Sequence, residues 1–362
     1  MNSIAIAPAL AIALSAGPIQ PTRRPALTEH ANTIYCLNWE QRSLKTLYPN
    51  NKSQVLQIPA VPKLDPGLLM VKYRRTRKHE WIITFRGYIY VRSFLRPGPW
   101  KVLRDATGRY LKMESGVRVI ATSDGVLIAS TTSLWPYVFY VSDATLGVKT
   151  IKSIVAPRLG MSCALVVSAK NKLLEVGSKG RVKVWPSWPA ECEQAVAKER
   201  SGKTLWNPSI LGKSDDAVFV RGPTVLALFE RRAVSSKLIR NRLSLAGYAI
   251  TPKWLWYLFE ERGGLWLGRW NGREHRASRL PFGGTVRIYR IRHGILLIEY
   301  LDPETTRLHV ACDTGSLGVT PMGKVSGRFG ISDGLAVAAR RLYIGMHSGK
   351  IVTRNLPSDW PY

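Results

Sequence analysis

Acidic residues are scarce in this chain. Only 24 Asp and Glu stand against 53 Lys and Arg in 362 residues, leaving a formal charge of +29. The shortage bears first on chemistry, because metal-assisted and general-acid hydrolysis need clustered carboxylates. Asp215/Asp216 and Glu260/Glu261 are adjacent pairs, and neighbours in a strand point to opposite faces. Cysteine is also sparse. Cys36, Cys163, Cys192 and Cys312 show no C-x-x-C spacing and no histidine at zinc-module distance, which excludes such a module and fits a reducing compartment. G-x-S-x-G and H-E-x-x-H are absent. Ser201-Gly202-Lys203-Thr204 lacks the upstream glycine of a phosphate loop. Helical periodicity is confined to Ala190–Arg200, which reads as a short insertion opened by Pro189. These absences lead us to expect no enzyme, no metal and no cofactor.

What is abundant is strand. Apolar residues make up 45% of the chain, and from Thr33 onward they fall into short apolar strands paired across tight polar turns. The pairs begin at Thr33, Glu80, Gly125, Lys172, Thr224, Lys253, Gly294 and Arg341, most of them roughly 41–52 residues apart. Weaker strands lie between, such as those at Lys101, Val117, Val148, Cys163 and Val286. Only the interval from Thr224 to Lys253 is short, about 29 residues, which reads as a truncated blade or a misassigned hairpin. Turns such as Ser178-Lys179-Gly180 and Glu261-Arg262-Gly263-Gly264 carry the glycine that positive φ favours.

This period is that of four-stranded propeller blades. The C-terminal stretch RLYIGMHSGKIVTRNL resembles the inner hairpin of WD-repeat and quinoprotein-type blades. The resemblance is one of pattern over about 300 residues and implies the fold alone, since no blade carries a Trp-Asp ending or a tryptophan-docking signature. The expected fold is an all-β propeller of about seven blades, six to eight possible, spanning residues 31–362. A sandwich plus a barrel is the competing architecture.

Residues 1–30 read as an extended apolar, proline-rich tail. Ile4, Ile6, Leu10 and Ile12, with Arg23 and Arg24, are candidates to thread into a partner. Pro8 interrupts the apolar stretch, which is too short to span a bilayer. Met1-Asn2-Ser3 lacks the basic residues of a secretory signal. The expected location is therefore cytoplasmic, or secreted if residues 1–16 act as a signal.

The excess charge lies on folded sequence and calls for a polyanion, since like charges repel across a compact surface. The densest run, Lys72-Tyr73-Arg74-Arg75-Thr76-Arg77-Lys78-His79, reads as an exposed turn that would clamp phosphates, with Tyr73 stacking on a base. Lys179, Arg181 and Lys183 read as a ladder on one strand. Further groups are Arg231, Arg232, Lys237, Arg240 and Arg242, then Arg269, Arg273, Arg276 and Arg279, then Arg287, Arg290 and Arg292. Trp81, Trp254 and Trp256 read as core, whereas Trp135, Trp185, Trp188 and Trp206 read as loop candidates for base stacking. The function expected is non-catalytic RNA binding on a large ribonucleoprotein. The ribosome is the first candidate, with ribosomal RNA and ribosomal proteins as partners and a monomer outside the particle. DNA binding and secreted polyanion binding are the alternatives.

Overall fold

The structure is a computed structural model. It describes residues 26–30, 33–38, 43–49, 52–55, 71–84, 88–96, 98–105, 107–111, 117–130, 136–160, 162–186, 190, 192–193, 209–221, 225–236, 247–327, 334–346 and 350–361. These residues form eight antiparallel sheets whose strands pair in chain order.

Blade 1 comprises β1 (Ala26–His30), β2 (Thr33–Asn38), β3 (Ser43–Tyr48) and β4 (Lys52–Val55). Blade 2 comprises β5 (Val71–Arg75), β6 (His79–Thr84), β7 (Ile89–Ser93) and β8 (Lys101–Val102). Blade 3 has β9 (Val117–Thr122), β10 (Gly125–Ser130), β11 (Tyr137–Ser142) and β12 (Val148–Lys152). Blade 4 has β13 (Arg158–Leu159), β14 (Ala164–Val167), β15 (Leu173–Val176) and β16 (Val182–Val184). Blade 5 has β17 (Ser209–Lys213), β18 (Val218–Arg221), β19 (Val225–Leu228) and β20 (Ala233–Ser236). Blade 6 has β21 (Tyr248–Ile250), β22 (Leu255–Glu261), β23 (Gly264–Trp270) and β24 (His275–Arg279). Blade 7 has β25 (Thr285–Ile291), β26 (Gly294–Tyr300), β27 (Thr305–Cys312) and β28 (Thr320–Ser326). Blade 8 has three described strands, β29 (Leu335–Ala338), β30 (Arg341–Gly345) and β31 (Ile351–Asn355).

The first strands of the blades touch in order, and β1 meets β29, so the ring is closed. It is an eight-bladed propeller, at the upper end of the expected range. The short Thr224–Lys253 interval also resolves. Six of the expected pairs are the second and third strands of their blades, but Leu173–Val176 and Val225–Leu228 are third strands and pair with Val182–Val184 and Ala233–Ser236. The second strand of blade 5 is β18, at Val218. The second half of the expected pair, residues 237–243, lies outside the described residues, as does most of the expected helix. Ala190, Cys192 and Glu193 are helical.

The apolar runs follow from face-to-face packing. Along β22, Leu255, Tyr257 and Phe259 enter the interface with blade 5, whereas Trp256 and Leu258 enter that with blade 7. Along β10, Val126 and Ile128 face blade 2, and Leu127 and Ala129 face blade 4. A strand covered on both sides must be apolar at every position, so it shows no alternation. At the hairpin between β22 and β23, Arg262 and Gly263 both take positive φ, 51° and 67°. That is the twist-matched two-residue turn.

The ring closes without a shared strand among the described residues. The segment after β31 instead crosses to blade 7. Leu356 and Trp360 join the core between blades 7 and 8, and Trp360 Nε1 donates to the Arg292 carbonyl at 3.1 Å. Arg292 also pairs with Glu29 of blade 1 at 2.9 Å.

One buried histidine gives the fold a pH dependence. His309 on β27 stacks on Phe282 with ring centroids 4.0 Å apart, and its Nε2 lies 3.2 Å from the Glu299 carboxylate. Burial lowers its pKa below 6.5, outweighing Glu299. The folded state thus favours the neutral ring. Its contribution is complete above pH 6.5 and is lost as pH falls through the lowered folded pKa. Melting temperature should fall between about pH 7 and pH 5, and His309→Gln should flatten that fall. An equally steep fall in the variant would assign the effect elsewhere.

Candidate nucleic-acid interface

Strand direction sorts the surface cations. In an antiparallel four-stranded blade, the turns between strands one and two and between three and four lie at one end. The remaining turn and the connection to the next blade lie at the other. Short connections such as residues 280–284 keep every blade in the same sense. The ring therefore has an upper face, built from the first and third turns, and a lower face.

Eight of the cations singled out from sequence fall on upper-face turns, among them Arg292 between β25 and β26, which is exposed and pairs with Glu29. Arg77 and Lys78 lie between β5 and β6, and Lys179 and Arg181 between β15 and β16. Arg231 and Arg232 lie between β19 and β20, and Arg273 between β23 and β24; all eight are exposed. Arg232 and Arg273, from adjacent blades, flank one ring, with guanidinium carbons 5.4 and 5.7 Å from the Phe229 centroid. Arg96, Lys253 and Arg340 are exposed on the same face. Sequence reading missed these three because none lies in a long basic run, Arg340 having only Arg341 beside it. Their common signal is position, just after an inner or a third strand.

Several upper-face acids are engaged in holding blades together. Asp143 of blade 3 accepts from Thr76 Oγ1 at 2.5 Å and from the Lys78 backbone N–H at 2.8 Å, and lies 2.8 Å from His79 Nδ1, all in blade 2. Asp124 accepts from Tyr140 at 2.6 Å and from the Lys179 backbone N–H of blade 4 at 2.5 Å. Burial opposes ionisation of Asp124, but the hydrogen bonds from Tyr140, Lys179, Thr122 and Ser123 outweigh it and hold the carboxyl below its ordinary pKa. Asp313 accepts from Trp256 Nε1 of blade 6 at 3.0 Å, and burial raises its pKa. Exposed upper-face acids include Asp215, Asp216, Glu230, Glu274 and Asp359. Glu230 is paired with Lys183, and Glu274 with Arg276 at 3.2 Å. The lower face is mixed, with Asp105, Glu260, Asp302 and Glu304 among Arg104, Arg109, Lys170, Lys172 and Arg262.

Other expectations need correction. The Lys72–His79 run is not an exposed turn, because its first half is the inner strand β5, paired with β6 from Val71↔Thr84 to Arg75↔Glu80. Tyr73 is fully buried and donates to Glu80 at 2.7 Å, so it presents no face to a base. Burial, then the neighbouring Glu80 charge, raises its pKa. Arg75 is buried against Phe94 and Tyr35 and donates to the Tyr35 hydroxyl. Lys72 and Arg74 line the central channel. Lys179, Arg181 and Lys183 do not share a strand. Lys179 sits in a tight turn with φ of 55°, and only Lys183 lies on β16.

Arg269 leaves the surface set altogether. It is 2% exposed, and its guanidinium lies 4.5 Å from the Trp254 ring centroid and 5.4 Å from that of Trp256, donating to the Gly315 carbonyl at 2.7 Å. Trp185 is buried, which removes it as a stacking platform. Trp81, Trp254 and Trp256 are core, as read from sequence. Lys183, Arg276 and Arg279 lie on outermost strands, where charge also guards a sheet edge against pairing with other chains. Lys237, Arg240, Arg242, Trp135, Trp188 and Trp206 lie outside the described residues, as do the tail positions Ile4, Ile6, Leu10, Ile12, Arg23 and Arg24.

Among the described residues, no His/Cys/Asp/Glu group could hold a metal ion, and no helix is long and apolar enough to cross a membrane. All four cysteines are free thiols.

No protein-family model matches the sequence. The comparison with curated proteins likewise finds no match. Solved structures do match. A computationally designed protein, Ika8, is 9% identical over 93% of this chain and 97% of its own, with a TM-score of 0.54. A catalytically inactive virginiamycin B lyase from Staphylococcus aureus is 10% identical over 94% of this chain and 97% of its own, with a TM-score of 0.44. BamB from Moraxella catarrhalis is 11% identical over 85% of this chain and all of its own, with a TM-score of 0.37. Identities this low speak to the fold alone, and the eight-bladed all-β propeller is read from this chain's own sheets.

Proposed function

We propose that this chain is a non-catalytic RNA-binding propeller that docks by its upper face on a large ribonucleoprotein, the ribosome being the first candidate. The observation that supports this reading is the sorting of charge on one face. Eight basic turn residues project there from five blades, while Asp124, Asp143 and Asp313 are engaged between blades. A broad, rigid, cationic disc suits a surface of many phosphates better than a single strand, which favours one groove with aromatic platforms. The tryptophans placed by the structure are mainly internal, so affinity rests on phosphate contacts and sequence selectivity is weak. Such a protein works as a monomer docked on its particle in the cytoplasm. It would act in assembly, in occluding idle particles or in regulating translation.

Engaging about six phosphates gives a log–log salt slope of about −4 to −5. The protein should sediment with ribosomes at low salt and leave them at high salt, and ribonuclease should release it. If it stays at the top of a low-salt gradient, this reading is wrong.

A further inference from the structure

The central channel carries charge that the RNA interface does not use. It holds a cavity of about 700 Å³ lined by Lys72, Arg74, Arg118, Arg158, Lys213 and Arg290 among apolar and glycine positions. These six cations come from five of the eight inner strands, β5, β9, β13, β17 and β25, and no Asp or Glu lines the cavity. They therefore converge on one volume from several directions.

Two of the guanidiniums are held in place. Arg74 Nε donates to the Val119 carbonyl at 3.2 Å, and Arg158 Nε to the Ile210 carbonyl at 2.9 Å, each bond reaching the next blade. Lys213 lies 3.5 Å from Glu175, which also accepts from Trp185 Nε1 at 3.1 Å. Arg290 makes no hydrogen bond among the described residues. Its side chain is open to channel water yet ringed by protein, and that enclosure lowers its pKa, with Asp313 acting in the opposite direction. Gly212 lets β17 lie close against blade 6, since a Cβ there would stand 2.8 Å from Ile250 Cδ1. Like charges gathered around so small a volume repel in the empty channel, and an anion relieves the repulsion.

We infer that the central channel is a binding site for a compact polyphosphate, a small molecule presenting several phosphate groups to cations on different blades. The cavity falls within the roughly 300–1,000 Å³ of small-molecule sites. Convergence from five strands fits several phosphates on a small scaffold, whereas a nucleic-acid strand follows a linear groove. Arginine supplies four of the six cations, and its fork matches phosphate oxygens. The inference stands apart from the RNA reading, because Lys72, Arg74 and Arg290, read from sequence as RNA contacts, face the channel, and none of the upper-face turn residues lines it.

The test is thermal denaturation of the full chain at low salt with inorganic tripolyphosphate, against sulfate at equal ionic strength. At a hundredfold excess over Kd, tripolyphosphate should raise the melting temperature by roughly 3–4 °C beyond sulfate. Arg290→Gln should lose most of that shift, and Arg118→Gln with Arg290→Gln all of it. Arg290→Gln alone should melt at or slightly above the parent's temperature without ligand, one repelling cation being gone, and bind RNA as the parent does. Upper-face variants should keep the full tripolyphosphate shift. No shift beyond sulfate, or an undiminished shift in the folded Arg290→Gln protein, would overturn the proposal.

Discussion

Arg231→Glu, Arg232→Glu and Arg273→Glu together are expected to weaken RNA binding by about 10²–10³-fold near 0.1 M salt, and to flatten the salt slope by about 2–3 units. Each lost phosphate contact removes about 0.7–0.9 of a released counterion, so three contacts account for both figures. The residues sit on neighbouring turns of blades 5 and 6, beside Phe229, with exposed side chains. Their turns are held by other groups. The Arg273 backbone N–H, for example, is bound by Asn271 Oδ1 at 2.9 Å. Exposed substitutions of this kind usually change stability by less than about 0.5 kcal/mol. The triple variant should therefore melt near the parent while its binding isotherm, read by fluorescence anisotropy across a salt series, collapses. A parental slope would place the RNA on another surface. Asp215→Lys and Asp216→Lys, on the same face, should act in the opposite direction.

Trp360→Ala is expected to lower the unfolding free energy by about 3–5 kcal/mol. Trp360 is 4% exposed, packs with the core between blades 7 and 8, and donates to the Arg292 carbonyl. The Gly294 backbone approaches so closely that an added Cβ would meet the indole at 2.7 Å. The site cannot refill easily, because its walls are sheets fixed by their own ladders. The effect is magnified by position, since this segment bridges the last blades where no strand is shared among the described residues. The Glu29–Arg292 pair does not substitute for it, as an ion pair with Arg292 45% exposed is worth about 1 kcal/mol or less. The denaturant midpoint should drop clearly for Trp360→Ala and barely for the exposed neighbour Asp359→Ala. Equal midpoints would mean that the ring closes without the indole.

Second and third strands were legible because each is covered on both faces, and a doubly covered strand reads as an apolar run. Inner strands were harder to read. Arg158–Leu159 has two residues and Tyr248–Ile250 three, too few for a period to show. Missing β18 shifted the assignment in blade 5 and produced the apparent short interval. The basic run at Lys72–His79 misled for a different reason. Six cationic or near-cationic side chains in a row look unburiable, yet Arg75 lies against Phe94 and Tyr35, and Arg74 bonds to Thr28, Tyr73 and Val119. All of these partners but Tyr73 come from segments distant in sequence, so no local window shows them. Arg269 is the same case, covered by Trp256 of the paired strand and by Trp254 in the turn just before it.

Composition alone determined the sign and size of the charge and the shortage of acids, and spacing alone determined that the chain is built from repeated strands. Those are sums and periods, and they survive any arrangement in space. Where each cation ends up was decided only by the closed ring. Strand direction sends alternate turns to opposite faces, and closure turns the first strand of every blade inward. Basic residues spread along the chain thus part into an upper surface, a rim and a channel.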